Sequence, residues 1–196
     1  MFGEVIVSDS AGGTSGSTNA FLAVSWTQTG TFNNVTIEAA LESGLPNQST
    51  GTAYLSNKLG TGATSGNLLD TFSVSTNNNT PGVLITLFTG LTLGPGTYDL
   101  SIKENSGLFW IEAGSPAQTL ASGVTQGPDL ISSGTVGTLP ISTSFVDLGT
   151  SHLLFEISGT PVTSTTATPE PSMIVLLAVG LGGVVLMRTK RRRCVL

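Results

Sequence analysis

The sequence predicts an all-β fold, an antiparallel β-sandwich or jelly-roll ectodomain over residues 1–161, followed by a short C-terminal transmembrane helix. Three observations carry that expectation. Apolar residues fall in short runs, several with a period of two, the spacing of a strand with one buried face. Gly, Asn, Pro, Ser and Thr clusters of turn chemistry separate the runs. One longer run, residues 173 to 187, has no charge and ends in a basic cluster.

The elements follow in order. Residues 2 to 8 read as a strand, and residues 20 to 27 (AFLAVSWT) as a second. Residues 34 to 41 place Val35, Ile37, Ala39 and Leu41 on one face, the clearest alternation in the chain. Further strands are expected at 52 to 59, 68 to 75, 82 to 89, 97 to 103, 108 to 113 and 153 to 158. The segments Gly44-Leu45-Pro46-Asn47, 77 to 82 and Gly94-Pro95-Gly96 supply turns. The stretch 87 to 102 reads as a hairpin, an apolar strand entering Gly94-Pro95-Gly96 and returning with Tyr98, Leu100 and Ile102 on one face.

Composition narrows the class. Charged residues make up only 10% and hydrophobic ones 39%, whereas disordered chains combine high charge with low hydrophobicity. Cys194 is the single cysteine, so no intramolecular disulfide forms, and a body of this size buries enough surface without one. All twelve acidic residues lie between Glu4 and Glu170, a region that shares only Lys58 and Lys103 of the seven basic residues. So acidic a body excludes nucleic acid as a partner, since phosphate binding needs a basic face.

Residues that carry chemistry are few. His152 is the only histidine, which excludes a multi-histidine metal site. It stands at the start of an apolar strand, and no G-x-S-x-G elbow supplies it with a nucleophile. Cys194 lies beyond the apolar run, so a Cys-His pair is excluded as well. Neither a D-x-D-x-D calcium loop nor a lysine-bearing phosphate loop occurs. No catalytic, cofactor-binding or metal-ligating residue is assigned, and the chain is expected not to be an enzyme. Trp26, Tyr54, Tyr98, Phe109 and Trp110 are read as core packing, with a sugar-stacking platform as the alternative.

The C-terminus carries the functional signal. As a helix, fifteen residues span about 22 Å at about 1.5 Å each, against a hydrocarbon core of about 30 Å. Arg188 and Lys190 recover part of the shortfall by reaching to the headgroups. Packing Arg188, Lys190, Arg191, Arg192 and Arg193 inside a globule would bury cations without partners, so a membrane is the expected partner. The positive-inside rule leaves this basic anchor in the cytoplasm and the body outside. Residues 162–168 form a Ser/Thr-rich spacer, and Pro169, Glu170 and Pro171 a stiff extended stretch before the helix.

The order of Pro169-Glu170-Pro171, a short apolar helix and an Arg-rich cluster resembles the PEP-CTERM sorting signal, here over residues 169–193. The resemblance implies export, with tail processing by an exosortase-type membrane transpeptidase, first as an inner-membrane-anchored precursor and then in the cell envelope or extracellular matrix. The stretch ending Gly96-Thr97-Tyr98-Asp99-Leu100 is similar to hairpins of β-sandwich ectodomains found before such anchors. The expected function is that of a non-catalytic surface or matrix protein linked to exopolysaccharide or biofilm. A carbohydrate-binding module delivered by the same route is the alternative, and a secreted hydrolase the third. Residues 1 to 13 show no basic-apolar leader, so an export signal is expected upstream of this start.

Overall fold

Branched side chains at alternate positions favour extended backbone, because they pack well on a pleated surface. In the strand β4 (Phe32–Ser43), Val35, Ile37, Ala39 and Leu41 are all fully buried, as the alternation requires. Asn34 stands at φ 51°, a left-handed conformation that its short polar side chain tolerates, and the register against the neighbouring strand shifts between Phe32 and Val35. The register shifts again between Val35 and Ile37 and between Ile37 and Glu38, yet the inward alternation from Val35 to Leu41 is kept.

The computed structural model describes residues 3–10, 15–17, 21–46, 48–77, 83–133 and 136–163. Among the described residues there are fifteen strands, no α-helix, and two single-turn 3₁₀ segments, Ser65–Asn67 and Pro140–Ser142. The first sheet runs β10 (Ala117–Leu120), β1 (Glu4–Ser10), β15 (Phe155–Pro161), β4, β9 (Leu108–Ala113) and β14 (His152–Leu153). Beside this path, β7 (Leu84–Leu93) pairs with β4 and β2 (Ser15–Ser17) with β9. The second sheet runs β13 (Phe145–Asp147), β12 (Leu130–Ser132), β3 (Phe21–Gln28), β8 (Gly96–Ser106), β5 (Ser49–Ser56) and β6 (Leu68–Thr76), with β11 (Val124–Gln126) pairing with β3. Every pairing is antiparallel.

One apolar cluster joins the two sheets. Ile6, Ile37, Phe155 and Ile157 come from the first, and Val24, Trp26, Leu55 and Leu100 from the second. The arrangement is sandwich-like, with each buried side chain of this size contributing about 1.5–3 kcal/mol. Aliphatic and aromatic side chains together fill the space between the inner faces, and their burial needs no charge, which is how so charge-poor a chain folds into two layers.

The expected hairpin over 87 to 102 is corrected by the topology. The turn is present, but β7 pairs with β4 in the first sheet and β8 with β3 and β5 in the second. The Gly94-Pro95-Gly96 turn therefore carries the chain across the sandwich. The physical reason is visible in its anchors. Gln28 Nε2 donates to the carbonyls of Leu93 and Gly94 at 3.0 Å each, and the Tyr98 hydroxyl donates to the Gly94 carbonyl at 2.9 Å. Those side chains hold the turn against the end of β3, so the strands on either side of it diverge into separate sheets.

Some boundaries also move. The first strand is Glu4–Ser10 where 2 to 8 is expected, and the fifth is Ser49–Ser56 where 52 to 59 is expected. Short strands β10 to β13 have too few residues each to show a period. Residues Met1–Val162 form one compact unit. Among the described residues no helix is long and apolar enough to cross a membrane, and the segment 173 to 187 lies outside the described residues.

Candidate functional site

The strand β1 carries a charged residue on its inward face. Val7 pairs across from Ile157 and Asp9 from Phe155, so Asp9 shares the side of the sheet that buries those apolar residues. It is 1% exposed. Its Oδ2 accepts a hydrogen bond from Gln126 Nε2 of β11 at 2.5 Å, and Gln118 Nε2 of β10 donates to Gln126 Oε1 at 3.0 Å. A second carboxylate reaches the same place from the second sheet. Asp129 stands just before β12 and is also buried, and the segment 147 to 153 wraps around it. Leu148 N–H donates to the Asp129 carbonyl at 2.8 Å, and Leu153 N–H to Asp129 Oδ2 at 3.2 Å.

The wrap delivers His152. Strand β14 pairs with β9, setting His152 opposite Ala113, and places His152 Nδ1 3.1 Å from Asp129 Oδ2. The imidazole is 41% exposed, while the carboxylate it faces is buried. One ligating atom from each of Asp9, Asp129 and His152 lies within 4.8 Å of the other two. The three residues come from both sheets and converge at one corner of the sandwich.

Electrostatically this corner is short of positive charge. Burial pushes the Asp129 carboxyl up to about 6; the Asp9 charge adds to the rise, and the Leu153 amide and His152 oppose it. Asp9 Oδ1 and Asp129 Oδ1 are both buried without a hydrogen-bond partner. Among the described residues the only basic side chains besides His152 are Lys58 and Lys103, and the one ion pair at this corner is His152 with Asp129. A buried anionic oxygen left without donor or cation costs several kcal/mol.

Of the residues singled out in the sequence, His152 is the one that the structure places here. Asp9 and Asp129 are missed. The signal for Asp9 is an acidic residue two positions after Val7, but the unbroken run Val5-Ile6-Val7 hides which face is inward. Asp129, in Gly127-Pro128-Asp129, reads as ordinary turn chemistry. The aromatic candidates take core positions. Trp26 and Trp110 are 1% and 2% exposed, Trp26 stacks on Tyr98 at 5.6 Å between centroids, and Trp110 Nε1 donates to the Leu154 carbonyl at 2.8 Å. Tyr54 and Phe109 are half-buried, Tyr54 edge-on to Phe21 at 5.9 Å. Trp26 and Trp110 are therefore closed to a sugar ring.

A surface cleft of about 380 Å³ beside Leu59, Thr61 and Phe145, and another of about 420 Å³ beside Lys58 and Tyr98, contain no carboxylate or imidazole in their linings. Neither offers an acid–base pair. Pro169, Glu170 and Pro171, with Arg188, Lys190, Arg191, Arg192 and Arg193, lie outside the described residues. The chain matches no protein-family model, no curated protein and no solved structure.

Proposed function

We propose that this chain is an exported, non-catalytic surface or matrix protein. Its body is a β-sandwich ectodomain, and its C-terminus is a PEP-CTERM-like signal that inserts in the inner membrane and is processed by an exosortase-type transpeptidase. The observation that carries the reading is the tail order: Pro169-Glu170-Pro171, fifteen uncharged residues, then five cations within the last nine positions. Such a segment rests at low cost only where hydrocarbon meets cytosolic water. The all-β body, rich in Ser, Thr and Asn, is compatible with retention in exopolysaccharide or biofilm, where hydroxyl and amide groups meet the hydroxyls of sugars.

The test is the mature C-terminus in the native host, read by intact and peptide mass spectrometry. Processing predicts a terminus near Pro171 or Ser172. An unprocessed chain ending at Leu196 would remove the transpeptidase from the account and leave a plain membrane anchor. Recovery of the full-length chain from the soluble cytosol would overturn the membrane reading itself.

A further inference from the structure

We propose that Asp9, Asp129 and His152 form a binding site for one divalent transition-metal ion of the zinc class, which ties the two sheets together at their corner. Two independent observations converge on it. The first is the donor set: two carboxylates and an imidazole within 4.8 Å of one another, brought from β1, the approach to β12, and β14. The second is the pair of orphaned oxygens, Asp9 Oδ1 and Asp129 Oδ1, each buried and without a partner. A proton shared between His152 and Asp129 serves Asp129 Oδ2 alone and brings nothing to Asp9, whereas a divalent cation seated among the three side chains offsets the charge of both buried carboxylates at once.

The geometry suits a small ion. Ligands at about 2.0–2.2 Å from zinc stand about 3.4 Å apart in a tetrahedral set. His152 Nδ1 and Asp129 Oδ2, at 3.1 Å, are close to that separation already. Supporting contacts hold both carboxylates in place, Gln126 Nε2 donating to Asp9 Oδ2 and the Leu153 amide to Asp129 Oδ2, as hydrogen bonds orient metal ligands elsewhere. The exposed flank of His152 gives the ion a path from solvent. One imidazole favours zinc and its neighbours over calcium, which prefers six to eight oxygens. The role is structural: Asp9 and His152 belong to the first sheet, and Asp129 is tethered to the second.

The experiment uses the full chain, purified in mild detergent with Cys194→Ser to remove the thiol, stripped with chelator and titrated with zinc chloride by calorimetry and thermal unfolding. One zinc per chain is expected, with Tm raised by about 5–10 °C at a hundredfold excess over Kd. His152→Ala, at a partly exposed position that tolerates truncation, is expected to weaken binding at least tenfold with the strand signal in circular dichroism unchanged. Asp9→Asn is expected to abolish the Tm shift. Zinc that binds equally well to both variants overturns the site, as does an absence of binding to the parent. A response to calcium alone overturns the role of the imidazole. All readouts come from purified protein, so failure here leaves the proposed route of export untouched, and failure of that route leaves this site untouched.

Discussion

Two buried polar corners of this sandwich obey opposite rules. At one, Gln28 is 1% exposed and fully satisfied: its Oε1 accepts the Trp26 indole N–H at 3.1 Å, and its Nε2 is shared among the carbonyls of Gly30, Leu93 and Gly94. At the other, Asp9 and Asp129 are equally buried, charged, and each left with one partnerless oxygen. A neutral amide can close its hydrogen bonds from within the chain and so serves as architecture. A pair of carboxylates in a body with two lysines cannot, and such a pair asks for something from outside. The contrast separates a structural buried polar group from a functional one without reference to any motif.

The sharpest way to test that contrast is to substitute at each corner and compare the signs. Gln28→Leu keeps the volume and removes the hydrogen bonds, stranding the Trp26 N–H and taking a donor from the Gly30, Leu93 and Gly94 carbonyls, of which Gly94 keeps the Tyr98 hydroxyl. It is expected to destabilise the chain by about 3 kcal/mol in urea unfolding, the cost of several buried groups losing partners together. A loss below about 1 kcal/mol would show the network to be incidental and remove one half of the comparison. Asp9→Asn is expected to act the other way in metal-free protein. Its carbonyl oxygen can still accept from Gln126 while one of two facing negative charges disappears, giving a gain of about 1–2 kcal/mol. A loss of stability there would mean that the carboxylate pair is internally compensated after all.

The sequence made the strands legible and hid the corner, for the same physical reason. A period of two is a local property, so Val35, Ile37, Ala39 and Leu41 declare their strand and its inner face without reference to any partner. Pairing is not local. Gly94-Pro95-Gly96 signals a turn correctly, yet nothing in those residues says whether the chain returns to the same sheet or crosses to the facing one. The corner depends on three such pairings, since Asp9, Asp129 and His152 meet only after β1, β12 and β14 have found their neighbours. His152 stood out because it is the only histidine, and its partners carry no spacing that would announce them.

Asp99 offers an intermediate case and the smallest expected effect. It lies on β8, 6% exposed, opposite Ser25 and Ser56, and burial alone pushes its carboxyl up to about 6. The sign follows from proton linkage. With the folded value above the ordinary 3.8, the folded chain holds this proton more tightly than the unfolded one. The stability it contributes is fully present below about pH 4 and is lost as pH rises through about 6, after which the curve is flat for this group. Asp99→Asn mimics the protonated form, so it is expected to raise stability at pH 7 by about 1 kcal/mol, with no gain at pH 4. Urea midpoints measured for parent and variant from pH 4 to pH 7 check this, and parallel curves would sink it. Unlike Asp9 and Asp129, Asp99 has no second carboxylate beside it and no orphaned buried oxygen, so a proton is sufficient to settle it. That difference is what assigns the cation to the other corner.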